Sequence, residues 1–124
     1  MGEMPPLLVA SERELIVNPD PIPLGKLPPG RGARAAAKLF NPSSESLVVE
    51  RVETSCPCVR STTRLPLRIN PGETEILDVE FDPSKEPGFR GGLGVDVVGT
   101  DAIGTGVFYC RVDVEVSERV ETSD

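Results

Sequence analysis

Two of the three cysteines in this sequence stand one residue apart, Cys56 and Cys58 around Pro57, in the run VETSCPCVRS at 52–61. Thiols at that spacing support three chemistries. In an extended strand, residues i and i+2 share a face with Cα atoms about 6.5–7 Å apart, at the limit of what a disulfide spans, so a relaxed bridge needs the chain to turn at Pro57. As thiolates the pair suits a soft metal: together they complete a two-coordinate Cu(I) site, supply half of a zinc site, or cycle to a disulfide. The plain alternative is packing, two small side chains at a strand end with Cys56 inward beside Val52. Cys56 and Cys58 are therefore the candidate metal ligands, and no cofactor is expected. Zinc asks for four ligands, and the chain has no histidine, so zinc would require thiolates shared across a dimer.

Catalysis finds little support. General acid–base work near neutral pH usually enlists histidine, and none is present. Asp78 and Glu80 alternate onto the solvent side of a strand, where a hydrated face is the ordinary meaning. GFRGGLG at 88–94 has the glycines of a phosphate cradle but no helix after it to meet a phosphate. Glycines within a strand instead mark a bulge or a close approach by another chain.

The elements that hold these residues read as strands. Short apolar and β-branched runs recur between turn signals: LLVA at 7–10, ELIV at 14–17, LVVERVET at 47–54, TEILDVEFD at 74–82, GFRGGLGVDVV at 88–98 and GVFYCRVDVEV at 106–116. That spacing predicts an all-β sandwich or barrel. Period-two alternation turns Phe108, Cys110, Val112, Val114 and Val116 inward and Arg111, Asp113 and Glu115 outward. Leu77, Val79 and Phe81 form a second inward set. Phe89, Leu93, Val95 and Val97 form a third, with Gly91 a gap for a neighbouring side chain. Cys110 is thus expected to be buried, free and inert, its one rival role a bridge to Cys56 that would leave Cys58 odd. Cys58, in a turn at one end of the sandwich, is expected to be the more reactive. ARAAAKLF at 33–40 fits helical and strand spacing alike; its length and the following Pro42 favour a strand.

Twenty acidic against thirteen basic residues give a net charge of −7, which repels a phosphate backbone, so nucleic acid is not an expected partner. No apolar run approaches the ~20 residues of a membrane-spanning helix, and the opening MGEMPPLLVASE lacks the pattern of an export signal.

With the strands in place, LGKL, KLFNPSSESLVVERVETSCPCV, INPGE, DVEFDP and PGF follow one another between residues 24 and 89. Together they resemble the bacterial family named domain of unknown function 1573. The resemblance implies an immunoglobulin-like antiparallel β-sandwich of about seven strands, related in shape to the major sperm protein and cilia-associated interaction modules. It makes ARAAAKLF a strand with Leu39 inward before Asn41, and LVVERVET a strand leading into the cysteine turn. Pro57 stands where the family usually has glycine and Val59 where it usually has threonine; the proline removes a backbone donor from the turn. By this reading residues 1–13 are a lead-in, 14–117 the sandwich and 118–124 a polar tail. The expected function is a non-enzymatic module for protein interaction or a structural role in an exported assembly, periplasmic or extracellular by resemblance. The alternative is a thiol site at Cys56 and Cys58. The proline-rich 19–30 and glycine-rich 88–94 stretches are the expected devices for guarding or presenting a sheet edge.

Overall fold

Alternating apolar residues drive this chain into strands because only a pleated ribbon puts every second side chain on one face. The computed structural model describes residues 14–118, so LLVA and all of the expected polar tail but Glu118 lie outside the described residues. Within them the chain forms β1 (Ile16–Asn18), β2 (Ile22–Leu27), β3 (Ala33–Phe40), β4 (Leu47–Val49), β5 (Arg51–Thr54), β6 (Val59–Ser61), β7 (Leu67–Ile69), β8 (Thr74–Phe81), β9 (Gly91–Thr100) and β10 (Gly106–Val116), with a 3-10 turn at Pro83–Lys85. One sheet has the order β1-β3-β8-β6 and the second β2-β10-β9-β5, while β4 and β7 form a short ribbon. The result is an all-β immunoglobulin-like sandwich.

The core lies between the two four-stranded sheets. Leu39 and Ala37 of β3 and Leu77, Val79 and Phe81 of β8 meet Val95 and Val97 of β9 and Cys110, Val112 and Val114 of β10, all buried. Leu47, Val49 and Ile69 of the ribbon join the same cluster. The three inward sets expected from alternation are thus the core, except that Phe89 and Leu93 are only partly buried. ARAAAKLF is strand β3, paired with β8 from Ala33 opposite Phe81 to Phe40 opposite Thr74.

Three details differ from the expectation. LVVERVET is two strands: β4 pairs with β7, β5 pairs with β9, and the break falls where Glu50 and Arg51 are both exposed. Two successive outward residues interrupt period two, so the chain leaves one sheet and enters another. The proline-rich stretch contains β2, an edge strand running parallel to β10 with Ile22 opposite Val112. Pro23 is tolerated there because an outermost strand needs no donor on its free side. The space over a glycine is filled not at Gly91, where an added Cβ would meet nothing within 4 Å, but at Gly94 by Arg111 and at Gly99 by Phe108.

Asn41 ties one end of the sandwich together. It is fully buried, and its Nδ2 donates to the carbonyls of Glu45 and Ile69, both at 2.8 Å. Its Oδ1 accepts from Ser43 N at 2.9 Å and from Ser43 Oγ. Its backbone N–H donates to Glu73 O at 3.0 Å and its carbonyl accepts from Gly72 N at 2.7 Å. Every polar group of this buried amide therefore has a partner, as burial requires. Through these bonds the NPSSES loop (41–46) and the INPGE turn (69–73) are joined.

Candidate functional site

Strand β5 ends in the cysteine turn, which crosses from one sheet to the other and delivers the chain into β6. Thr54 Oγ1 lies 2.8 Å from the carbonyl oxygens of both Cys56 and Val59, so one hydroxyl spans the turn. Val59 N donates to Cys56 O at 3.1 Å, and Asp82 N donates to Cys58 O at 2.7 Å. These bonds fold the chain at Pro57 and bring the Cα atoms of Cys56 and Cys58 to 5.2 Å, where the two sulfurs are joined as a disulfide. That separation is within the ordinary span of a bridge, which an extended strand would have exceeded. Cys110 is the free cysteine and is buried, as alternation requires.

Exposure does not follow the expected order. Cys58 is 0% exposed, as deeply buried as Cys110, and the partly buried Cys56 is the sulfur nearer the surface, between exposed Ser55 and Pro57. The reason is the tight turn: by Cys58 the chain has already passed beneath Asp82. Cys56 Sγ lies 3.9 Å from Glu86 Oε2 and accepts the N–H of Cys58 at 3.2 Å. Binding of a soft metal at the pair would require both thiolates, hence the reduced state. Among the described residues no group of three His, Cys, Asp or Glu side chains converges.

Glu86 also borders a cleft of about 500 Å³ walled by Pro83, Pro87, Phe89 and Val116, with Arg90 at its rim. Arg90 is bonded there to Glu118 at 3.0 Å. Asp82, on the same wall, receives the hydroxyl and N–H of Ser84 at 2.7 and 3.0 Å, and these bonds hold its carboxyl below the usual carboxylate value. On the outer face of the second sheet Tyr109 donates to Asp96 at 2.7 Å; that bond, with partial desolvation and the charge of Asp96, raises the phenol above its ordinary value.

A second feature adjoins the turn. β5 covers β9 only from Val97 to Thr100, and Ser55 adds one rung, its N–H donating to Asp96 O at 3.0 Å and its Oγ accepting from Asp96 N at 2.9 Å. β10 pairs with β9 as far as Gly91. Residues 91–95 of β9 therefore have β10 on one side and, among the described residues, no strand on the other. Because the N–H and carbonyl of Asp96 both point toward β5, alternation points those of Gly94 and Gly92 to the same, open side. The glycine-rich stretch that failed as a phosphate cradle is an uncovered sheet edge. Sequence reasoning singled out these glycines; it missed that β5 stops short of them, since strand pairing is not written locally.

The family model described as "Protein of unknown function (DUF1573)" matches residues 15–96, from the start of the sandwich through the cysteine turn to the middle of β9. The chain belongs to this family. Among solved structures, this DUF1573 chain is similar to a protein of unknown function from Porphyromonas gingivalis W83, with TM-score 0.64 and 21% identity over 82% of this chain. It spans 46% of that protein's length. It is also similar to WR4, a C. elegans major sperm protein family member, with TM-score 0.54 and 13% identity over 83% of this chain and 97% of that one. A third is the ASH/PapD-like domain 7 of human CEP192, with TM-score 0.57 and 11% identity over 86% of this chain and 87% of that one. At such identities the likeness is one of fold, the immunoglobulin-like sandwich of the PapD and major sperm protein type. No curated protein matches the sequence. No helix among the described residues is long and apolar enough to cross a membrane.

Proposed function

We propose that this chain is a non-enzymatic immunoglobulin-like module that holds a partner protein in an exported assembly, with residues 91–95 of β9 receiving an extended segment of the partner as an added strand. The observation that carries this reading is the uncovered edge itself. The other edge strands are short or interrupted: β1 and β6 have three residues each and β5 four, and β2 carries Pro23. Gly92 and Gly94 have neither defence. They present main-chain donors and acceptors to the open side, the groups that β-addition pairs. A position outside the cytoplasm is part of the same reading. It is supported by the disulfide, a bond that persists in oxidising compartments, and by sandwiches of this shape in a secreted serine protease of Vibrio cholerae and an adhesin of Streptococcus sanguinis.

The test uses a displayed library of extended peptides selected on the native chain. Peptides that bind are expected to slow amide exchange at Gly92 and Gly94, and Gly92→Pro, which removes one edge donor, is expected to weaken them roughly tenfold. Peptides that bind equally well to Gly92→Pro and leave both amides exchanging freely would overturn the reading.

A further inference from the structure

We propose that the Cys56–Cys58 bridge is a thiol–disulfide exchange site that is opened by attack on Cys56 and selects against anionic thiols. Two independent observations meet there. The first is access: a thiolate must approach a disulfide sulfur from the side opposite its partner, and Cys56 stands at the surface of an exposed turn while Cys58 is fully buried. Attack therefore comes from solvent onto Cys56, with Cys58 as the leaving sulfur. The second is charge: the Glu86 carboxylate lies 3.9 Å from Cys56 Sγ, on a chain of net charge −7. Every attacking thiolate meets this repulsion; a carboxylate carried on the same thiol adds to it, and an ammonium group offsets it.

The step balances without a further reagent. An incoming thiolate forms a bond to Cys56 Sγ, the Cys56–Cys58 bond breaks, and its electron pair goes to Cys58 Sγ, which takes up the proton the thiol released. A second thiolate then attacks the sulfur of the first, and Cys56 leaves as a thiolate that takes up the proton the second thiol released. Two substrate thiols become one disulfide while the protein disulfide becomes a dithiol, and a substrate disulfide reverses the sequence. This site is independent of the strand-addition reading.

The experiment treats the native chain with cysteamine, 2-mercaptoethanol and 3-mercaptopropionate at equal thiolate concentration and low salt, quenches with acid, and maps the adduct by peptide fragmentation. The expected adduct is on Cys56, and cysteamine is expected to react about tenfold faster than 3-mercaptopropionate. Glu86→Gln, an exposed substitution that leaves the core untouched, is expected to shrink that ratio several-fold. An adduct on Cys58, a ratio near one in the native chain, a ratio unchanged in Glu86→Gln, or a bridge that opens only as fast as the chain unfolds in denaturant would each overturn the proposal.

Discussion

Cys110 shows how far a single residue reports on its surroundings. It sits opposite Val97 on the inner face of the sheet, 0% exposed, and burial pushes its thiol up to about 12, with the Asp20 carboxylate adding to the shift. The folded chain thus keeps a proton that the unfolded chain releases near pH 8.5–9. Stability from this group is complete below that value and is lost as pH rises toward 12, at about 1.4 kcal/mol per pH unit. Urea unfolding of the native chain and of Cys110→Ala at several values between about pH 8 and 10.5 checks this: the native chain should lose ground to the variant above about pH 9, and parallel curves would exclude the thiol. Alternation alone placed Cys110 inside. It did not reveal the role of Asn41, whose hydrogen bonds reach Ser43 and Glu45 after β3 and Ile69, Gly72 and Glu73 at and after β7, so that they form only when β3 and β7 are both in place.

At the scale of the element, β9 separates two kinds of glycine. A Cβ on Gly99 would meet the ring of Phe108 from inside the core, whereas one on Gly94 would meet the guanidinium of Arg111 on the outer face. A packed ring has nowhere to go, but an exposed arginine swings into solvent at little loss. Gly99→Ala is therefore expected to destabilise by about 1–3 kcal/mol and Gly94→Ala by less than about 0.5 kcal/mol. Urea midpoints of the two variants measure the difference, and equal losses would mean that Phe108 does not fill the space over Gly99. The sequence marked β9 as glycine-rich without distinguishing these positions, because a strand's own pattern says which face a residue occupies and not which neighbour lies across from it.

For the whole molecule, the test of the sandwich is a charge in its middle. Val79 is 1% exposed and lies between Ala35 of β3 and Ser61 of β6, facing the second sheet. Val79→Asp should lower stability by well over ~2 kcal/mol, more than Val79→Ala, because it buries a carboxylate without a partner. Thermal unfolding followed by far-ultraviolet circular dichroism would show this as a lowered midpoint with the spectrum of a β protein; a helix-dominated spectrum would contradict the architecture. Leu39, Phe81, Val95 and Val112, also expected to be interior, are buried as well. What the sequence determined by itself was the strand content, the inward faces and the family, since alternation and turn residues act over a few positions. It also set the condition that a bridge between Cys56 and Cys58 needs a turn at Pro57. Only the tertiary structure decided that LVVERVET divides between two sheets, that Cys58 rather than Cys56 is the buried sulfur, and that 91–95 is an open edge. Each of these depends on which distant strand lies alongside, a choice made by packing two sheets against each other and not by any local run of residues.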